Sequence, residues 1–255
     1  MDIKESLEEF KVCITIPFPE GARFTLFGAE VAGIAITETV VVSWAVMGIL
    51  IGGSLLLTRR LKPIPRGPQV FLETLVTFLN TFSDRYFGKR AKTYGPYIGS
   101  VFLFILFANM IPAFSPLSIA AFGIEPPFSL KPPTRDINLT AALAALSIML
   151  VLVGGLRARG LAGWARNLFK PTPMMLPFNL LEYVIRPLSL CLRLFGNILG
   201  GFIIMLLVES ALPVPLLIPA ALSVYFDFFD GLIQAVVFSF LTTLFISEAV
   251  ETDGH

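Results

Sequence analysis

The sequence predicts an all-α membrane protein with about five transmembrane helices and one amphipathic helix on the membrane surface. Of its 255 residues, 55% are hydrophobic and only 15% are charged, and the mean hydropathy is +0.80. A soluble domain carries roughly 25% charged residues. Several stretches reach the length of about 20 apolar residues that a helix needs to cross a bilayer. We therefore expect residues 1–255 to form a single polytopic membrane domain.

An N-terminal arm, residues 1–35, precedes the membrane bundle, residues 36–255. The first span is expected at residues 36–57, and a segment rich in arginine and lysine follows it. Residues 68–88 place Phe71, Leu75, Phe78, Leu79 and Phe82 on one helical face, which is typical of a helix on the membrane surface.

The second and third spans are expected at residues 97–111, closed by Pro112, and at residues 137–156. The last two apolar stretches, residues 176–208 and 216–247, are longer than a span requires. About 30 residues at a rise of 1.5 Å give about 50 Å of helix, against a hydrocarbon core of about 30 Å. We expect them to form a long tilted hairpin.

The distribution of basic residues predicts the orientation. The stretches after the first and third spans, together with the segment up to Lys92, hold 12 of the 19 lysines and arginines. The positive-inside rule then places the N-terminus outside and the C-terminus in the cytoplasm. Because the first residues resemble neither a signal nor a transit peptide, a bacterial plasma membrane is the expected location of this multi-pass protein, with an organelle-encoded protein as the alternative.

Several functional classes are excluded by composition and motifs. A net charge of +1 gives no indication of a nucleic-acid partner, and the lipid bilayer is the expected surrounding. His255 is the only histidine, and the sequence contains no acidic metal cluster, so we expect no metal site. It contains no glycine-rich phosphate loop, GxSxG or CxxC motif. We therefore expect no cofactor, no nucleotide site and no soluble catalytic domain.

Arg193 is the most unusual residue, because it lies near the midpoint of the fourth span. An arginine at the bilayer centre costs about 3 kcal/mol or more. It either pairs with a carboxylate inside the bundle, a structural role, or serves a function. Ser189 and Asn197 lie one turn away on either side and extend a polar stripe. Small residues flank this stripe and would let another helix approach: Gly196, Gly200 and Gly201.

Acidic residues occupy the fifth span. Asp227, Asp230 and Gln234 share one helical face. These acids either neutralise Arg193 and Arg186 or line a water-filled half-channel. Composition alone does not distinguish the two roles. Glu209 marks either a channel mouth or the membrane interface. Glu182 and Arg186, four residues apart, are expected to form a structural pair on the cytoplasmic side.

Residues 186–197 (RPLSLCLRLFGN) resemble the signature of subunit a of F-type ATP synthases, whose core reads LRLFGN. Other similar segments follow the same order along the chain: ITETVV at residues 36–41, YGPYIGSVFLFILFAN at 94–109, PPTRDINLT at 132–140 and PFNLLE at 177–182. The resemblance covers nearly all of the chain beyond about residue 30.

The resemblance implies a non-catalytic stator subunit beside a rotating ring of c subunits, each with one membrane carboxylate, and beside b-type peripheral stalk subunits. Arg193 matches the family's essential arginine, and Asn197 and Gln234 match its asparagine and glutamine. Phe202 and Asp227 stand where many members have glutamate and histidine, so the outer half-channel is expected to use Asp227 and Asp230. Gly196, Gly200 and Gly201 would face the ring.

The expected function is ion translocation, with H⁺ as the carried ion and Na⁺ as the alternative. Ions would enter one half-channel, load a ring carboxylate and leave by the other, and Arg193 would separate the two. A secondary transporter that binds an anionic substrate through Arg193 is the rival function, although it would predict inverted repeats, which the sequence does not show. A structural scaffold is a second rival, but it would not require the polar stripe.

Overall fold

The computed structural model describes residues 12–17, 24–26, 29–31, 33–59, 61–119, 132–169, 172–211, 222 and 224–251. Six helices occupy the described part: α1 (Glu38–Thr58), α2 (Pro68–Phe87), α3 (Ala91–Ile119), α4 (Ile137–Leu168), α5 (Leu176–Ala211) and α6 (Gly231–Val250). A π-helix, Val224–Asp230, leads directly into α6. Short 3₁₀ turns precede α3, α4 and α5, at Gly88–Arg90, Pro133–Arg135 and Pro173–Met175.

Among the described residues, five helical stretches are long and apolar enough to cross a membrane. They are Glu38–Thr58, Pro68–Met110, Ile137–Leu168, Pro173–Met205 and Phe228–Val250. The predicted helical membrane fold with about five spans is therefore confirmed. The structure adds four short strands in the N-terminal arm, which the sequence did not predict: β1 (Val12–Pro17), β2 (Phe24–Leu26), β3 (Ala29–Val31) and β4 (Gly33–Thr37). They pair antiparallel, β1 with β4 and β2 with β3.

The amphipathic helix α2 folds back along α3. A Cβ placed on Gly95 would lie 3.1 Å from Ser83 Oγ, and one on Gly99 would lie 3.5 Å from Leu79. Leu75 and Leu79 pack on the core, whereas Phe71 and Phe78 are 74% and 60% exposed. The predicted apolar face is therefore only partly buried: the part with Leu75 and Leu79 is covered, and the part with Phe71 and Phe78 is exposed. The position of α2 on the membrane surface stays a prediction.

Helices α5 and α6 form the predicted antiparallel hairpin. Arg186 contacts Glu248 near one end, and Asn197 contacts Asp230 further along. The 36 residues of α5 correspond to about 54 Å of helix. This length exceeds the hydrocarbon core, as expected, while the tilt of the hairpin stays a prediction.

Two predicted helix ends are wrong. Helix α3 continues past Pro112 to Ile119, because a proline removes only one hydrogen bond and membrane helices tolerate the loss. Helix α4 runs to Leu168 but breaks at Gly160, whose φ of 71° favours glycine. After this break Trp164 packs against Gly155, so the chain turns back on itself. The predicted start of the fifth span, residue 216, lies outside the described residues.

Contacts between helices define two ends of the bundle. At the Asp136 end, the start of α1 meets the turn before α4, where Thr39 Oγ1 donates a hydrogen bond of 2.8 Å to Asp136 Oδ2. At the Glu248 end, the C-terminus of α6 meets α5 through Arg186. Between the two ends, the side chains of Ile105, Leu194 and Phe238 are buried in a shared apolar core.

Candidate functional site

Arg193 lies at the midpoint of α5 and faces outward. Leu190 and Leu194 on the adjoining face are 3% and 1% exposed and pack α5 against the core, whereas Ser189, Arg193 and Gly196 are exposed. Within the part of the chain that the structure describes, no side chain forms an ion pair or hydrogen bond with Arg193. The Arg193 guanidinium is therefore accessible to a lipid or a neighbouring chain on the outer surface of α5.

One turn from Arg193, toward the Asp136 end, α5 is joined to the π-helix by polar side chains. Asn197 Nδ2 donates a short hydrogen bond to Asp230 Oδ1. Gln234 lies one turn further along α6 and is 7% exposed. Of the residues predicted to line the ion pathway, the structure therefore joins Asn197 to Asp230, and Gln234 lies next along α6.

The same junction packs closely against α3. A Cβ on Gly231 would lie 2.7 Å from Asn109 Cβ, so only glycine allows this approach. Thr134 Oγ1 donates a short hydrogen bond to Asn109 Oδ1, while Asn109 Nδ2 is buried without a hydrogen-bond partner. Sequence reasoning missed Asn109 and Thr134 as a pair, because 25 residues separate them and only tertiary packing joins them.

Arg135 was also missed. Its Cζ lies 3.3 Å from the ring centroid of Phe202, and the residue is 8% exposed. Burial lowers the pKa of the Arg135 guanidinium from its ordinary value. The neighbouring Asp136 is engaged elsewhere, by Thr39 and by Asn138, whose backbone N–H donates a hydrogen bond of 2.9 Å. The Arg135 guanidinium therefore lies over the ring of Phe202, the residue that occupies the position where many members of the family have glutamate.

A second polar group lies at the Glu248 end. Arg186 pairs with Glu182 at 2.5 Å, as predicted, and also with Glu248 at 2.9 Å, which the sequence did not predict. Trp164 Nε1 donates a hydrogen bond of 3.1 Å to Tyr183 Oη nearby. These residues line a cavity of about 590 Å³. Because both carboxylates are more than half exposed, the pairs contribute little to stability.

Arg193 stands between the two polar groups. It lies seven residues from Arg186 and four from Asn197. At a rise of 1.5 Å per residue, these separations are about 10 Å and 6 Å along the helix axis. The outward-facing Arg193 thus lies between the polar group of Asn197 and Asp230, toward the Asp136 end, and the polar group of Arg186 at the Glu248 end.

The three glycines predicted to face the ring differ in their surroundings. A Cβ added to Gly196 or Gly200 would have no heavy atom within 4 Å, whereas Gly201 is buried and makes room for Phe226 at 3.0 Å. The side chains of Glu209 and Asp227 lie outside the described part of the structure, so their place in an ion pathway stays a prediction.

Comparisons with known proteins agree with these observations. The model of the family described as ATP synthase A chain matches residues 40–247. The sodium ion specific ATP synthase subunit a of Propionigenium modestum is 36% identical over 249 residues, which cover 94% of this chain and 84% of that protein. The ATP synthase subunit a of Moorella thermoacetica (strain ATCC 39073 / JCM 9320) is 37% identical over 229 residues, 87% of this chain and 94% of that protein.

Proposed function

Because the chain belongs to the ATP synthase subunit a family, we propose that it forms two half-channels against a ring of c subunits and couples ion flow to rotation of the ring. The observation that carries this proposal is Arg193: it is outward-facing at mid-span, has no partner among the described residues, and stands between two polar groups. An arginine in that position is costly in lipid. A carboxylate arriving on another chain would offset the cost.

In this mechanism, an ion reaches a ring carboxylate through the polar region around Asn197 and Asp230. The neutralised carboxylate then travels through lipid as the ring turns. On its return it meets Arg193, whose positive charge favours the ionised carboxylate and releases the ion toward the Ser189 side. A guanidinium suits this role because it keeps its proton, so ions cannot pass through Arg193 itself.

The contact between Arg193 and the ring has to be loose. At an effective dielectric constant of about 20, a charge pair at 4 Å is worth about 4 kcal/mol. One charge crossing 100 mV provides only about 2.3 kcal/mol. A dry, locked salt bridge would therefore stop the ring, and we propose a water-bridged contact.

The orientation follows the positive-inside rule. Exposed basic residues gather at the Glu248 end, among them Arg59, Lys89 and Lys92. We propose that this end faces the cytoplasm of a bacterial plasma membrane, with the C-terminus inside and the N-terminal arm outside. The proposed partners are the c ring and b-type peripheral stalk subunits.

A secondary transporter is less well supported by the geometry. A transporter would need Arg193 to point between helices toward a substrate site near the midplane. Arg193 is instead exposed on the outer side of α5. A bound anion there would have to lie between this chain and a neighbour.

ATP synthesis by the purified complex in vesicles, with Na⁺ varied at fixed pH and fixed membrane potential, tests the function and identifies the ion. We propose H⁺, so the rate should not change between about 1 and 100 mM Na⁺. A rate that rises in proportion to Na⁺ would support the alternative ion. A complex that assembles but shows no ion-driven synthesis with either ion would contradict the proposed function.

A further inference from the structure

Helix α2 has an exposed side that the ion pathway does not use. Phe71 and Phe78 lie seven residues apart, two helical turns, so they project from the same side of α2. They are 74% and 60% exposed, while Leu75 and Leu79, next to them on the same apolar face, pack on the core. Two large aromatic side chains therefore stand on the outside of the bundle.

Basic residues flank this aromatic side at both ends of α2. Six exposed lysines and arginines occupy residues 59–92: Arg59, Lys62, Arg66, Arg85, Lys89 and Lys92. The same range has two acids, Glu73 and Asp84, which are also exposed. In the described part of the chain the only ion pairs are those of Arg186, so none of the six cations is neutralised by a neighbour.

We propose that this α2 surface, Phe71 and Phe78 with the six flanking cations, binds anionic phospholipids of the adjoining leaflet. Amphipathic helices with aromatic residues on one side and basic residues around them bind at the headgroup level. Exposed basic clusters attract the negative headgroups, whereas zwitterionic headgroups offer no net charge to them. The aromatic rings enter the acyl region, and the cations meet the phosphates.

The occupant is a lipid rather than a soluble anion, because the aromatic rings need an apolar partner that free phosphate lacks. The surface also lies toward the end of the bundle where α1 ends and α3 begins, next to spans that are long enough to cross a membrane. This inference is independent of the proposed ion pathway, since it involves no residue of that pathway.

Tryptophan quenching by brominated lipids tests the proposal in the assembled complex. Phe78→Trp supplies the reporter, with Trp44 and Trp164 replaced by phenylalanine, and tryptophan fluorescence of the other subunits is subtracted using a complex that lacks the reporter. We expect brominated phosphatidylglycerol to quench the reporter at least threefold more efficiently than brominated phosphatidylcholine. Added inorganic phosphate at 20 mM should leave the ratio unchanged.

Charge variants distinguish specific binding from general contact with the bilayer. Replacing Lys62, Arg66, Lys89 and Lys92 by glutamine should bring the quenching ratio close to one. Replacing Arg157 and Arg166, basic residues outside the α2 surface, should leave it unchanged. Each of three results would overturn the proposal, whatever the rate of ATP synthesis. The first is equal quenching by both lipids when the α2 surface is unaltered. The others are loss of the quenching ratio on addition of free phosphate and an unchanged ratio in the glutamine variant.

Discussion

Arg193→Ala is expected to lower ion-driven ATP synthesis at least a hundredfold while leaving the amount of assembled complex unchanged. The side chain is exposed and has no partner in the described part of this chain, so its removal disturbs no packing. What is lost is the interaction with the arriving carboxylate, which in a water-bridged contact is weaker than the roughly 4 kcal/mol of a charge pair at 4 Å and an effective dielectric constant of about 20. Without the positive charge of Arg193, the ionised form of the carboxylate is no longer favoured beside α5, so ion release is no longer confined to one side. Synthesis in vesicles under a fixed ion gradient measures the effect.

Arg193→Lys is the matched control for this prediction. Lysine keeps a positive charge, but it can lose its proton in an apolar setting and it lacks the planar fork of arginine. We expect the lysine variant to recover a small fraction of synthesis at most. Normal synthesis in Arg193→Ala would contradict the role assigned to Arg193.

Gly231→Val is expected to have the second largest effect, and its effect is on assembly. The new Cβ would lie 2.7 Å from Asn109 Cβ, and the Asn109 side chain is held by Thr134 and has little freedom to move. Overpacking of this kind costs about 1–3 kcal/mol or more. Since Asp230 precedes Gly231, its hydrogen bond to Asn197 would be displaced as well. We expect less assembled complex in the membrane and at least tenfold lower synthesis.

Two companion variants identify the cause of that loss. Asn109→Gly removes the opposing Cβ and should partly restore assembly of Gly231→Val, whereas Asn109→Ala keeps that Cβ and should not. Gly48→Val in α1 is the matched control, because an added Cβ there would meet no described heavy atom beyond its own helix within 4 Å, and it should assemble normally. If Gly231→Val assembles as well as Gly48→Val, the close approach of α3 and α6 is not required.

The sequence predicted the parts of this molecule that depend on local patterns. Apolar stretches located the spans because the bilayer thickness sets helix length. The i, i+4 spacing of Glu182 and Arg186 was enough to predict their ion pair, because one helix places both side chains together. Arg193 was recognised because charge is rare in the middle of a span.

What the sequence did not predict depends on tertiary packing. Glu248 completes the Arg186 network from 62 residues away, and Thr134 reaches Asn109 across two elements. The end predicted at Pro112 failed because proline does not necessarily stop a helix inside a bundle. The apolar face of α2 was split because the helix period shows which residues are apolar but not which side α3 covers.

Thiol accessibility tests the proposal that Arg193 separates two routes that open to opposite sides of the membrane. Ser189→Cys and Asn197→Cys are introduced separately into a chain in which Cys13 and Cys191 are replaced. A membrane-impermeant thiol reagent is then added to either side of sealed vesicles, and inhibition of ATP synthesis is followed. We expect the cysteine introduced at position 189 to react from the cytoplasmic side and the one at position 197 to react from the opposite side. Reaction of both cysteines from the same side, or of each equally from both, would contradict it.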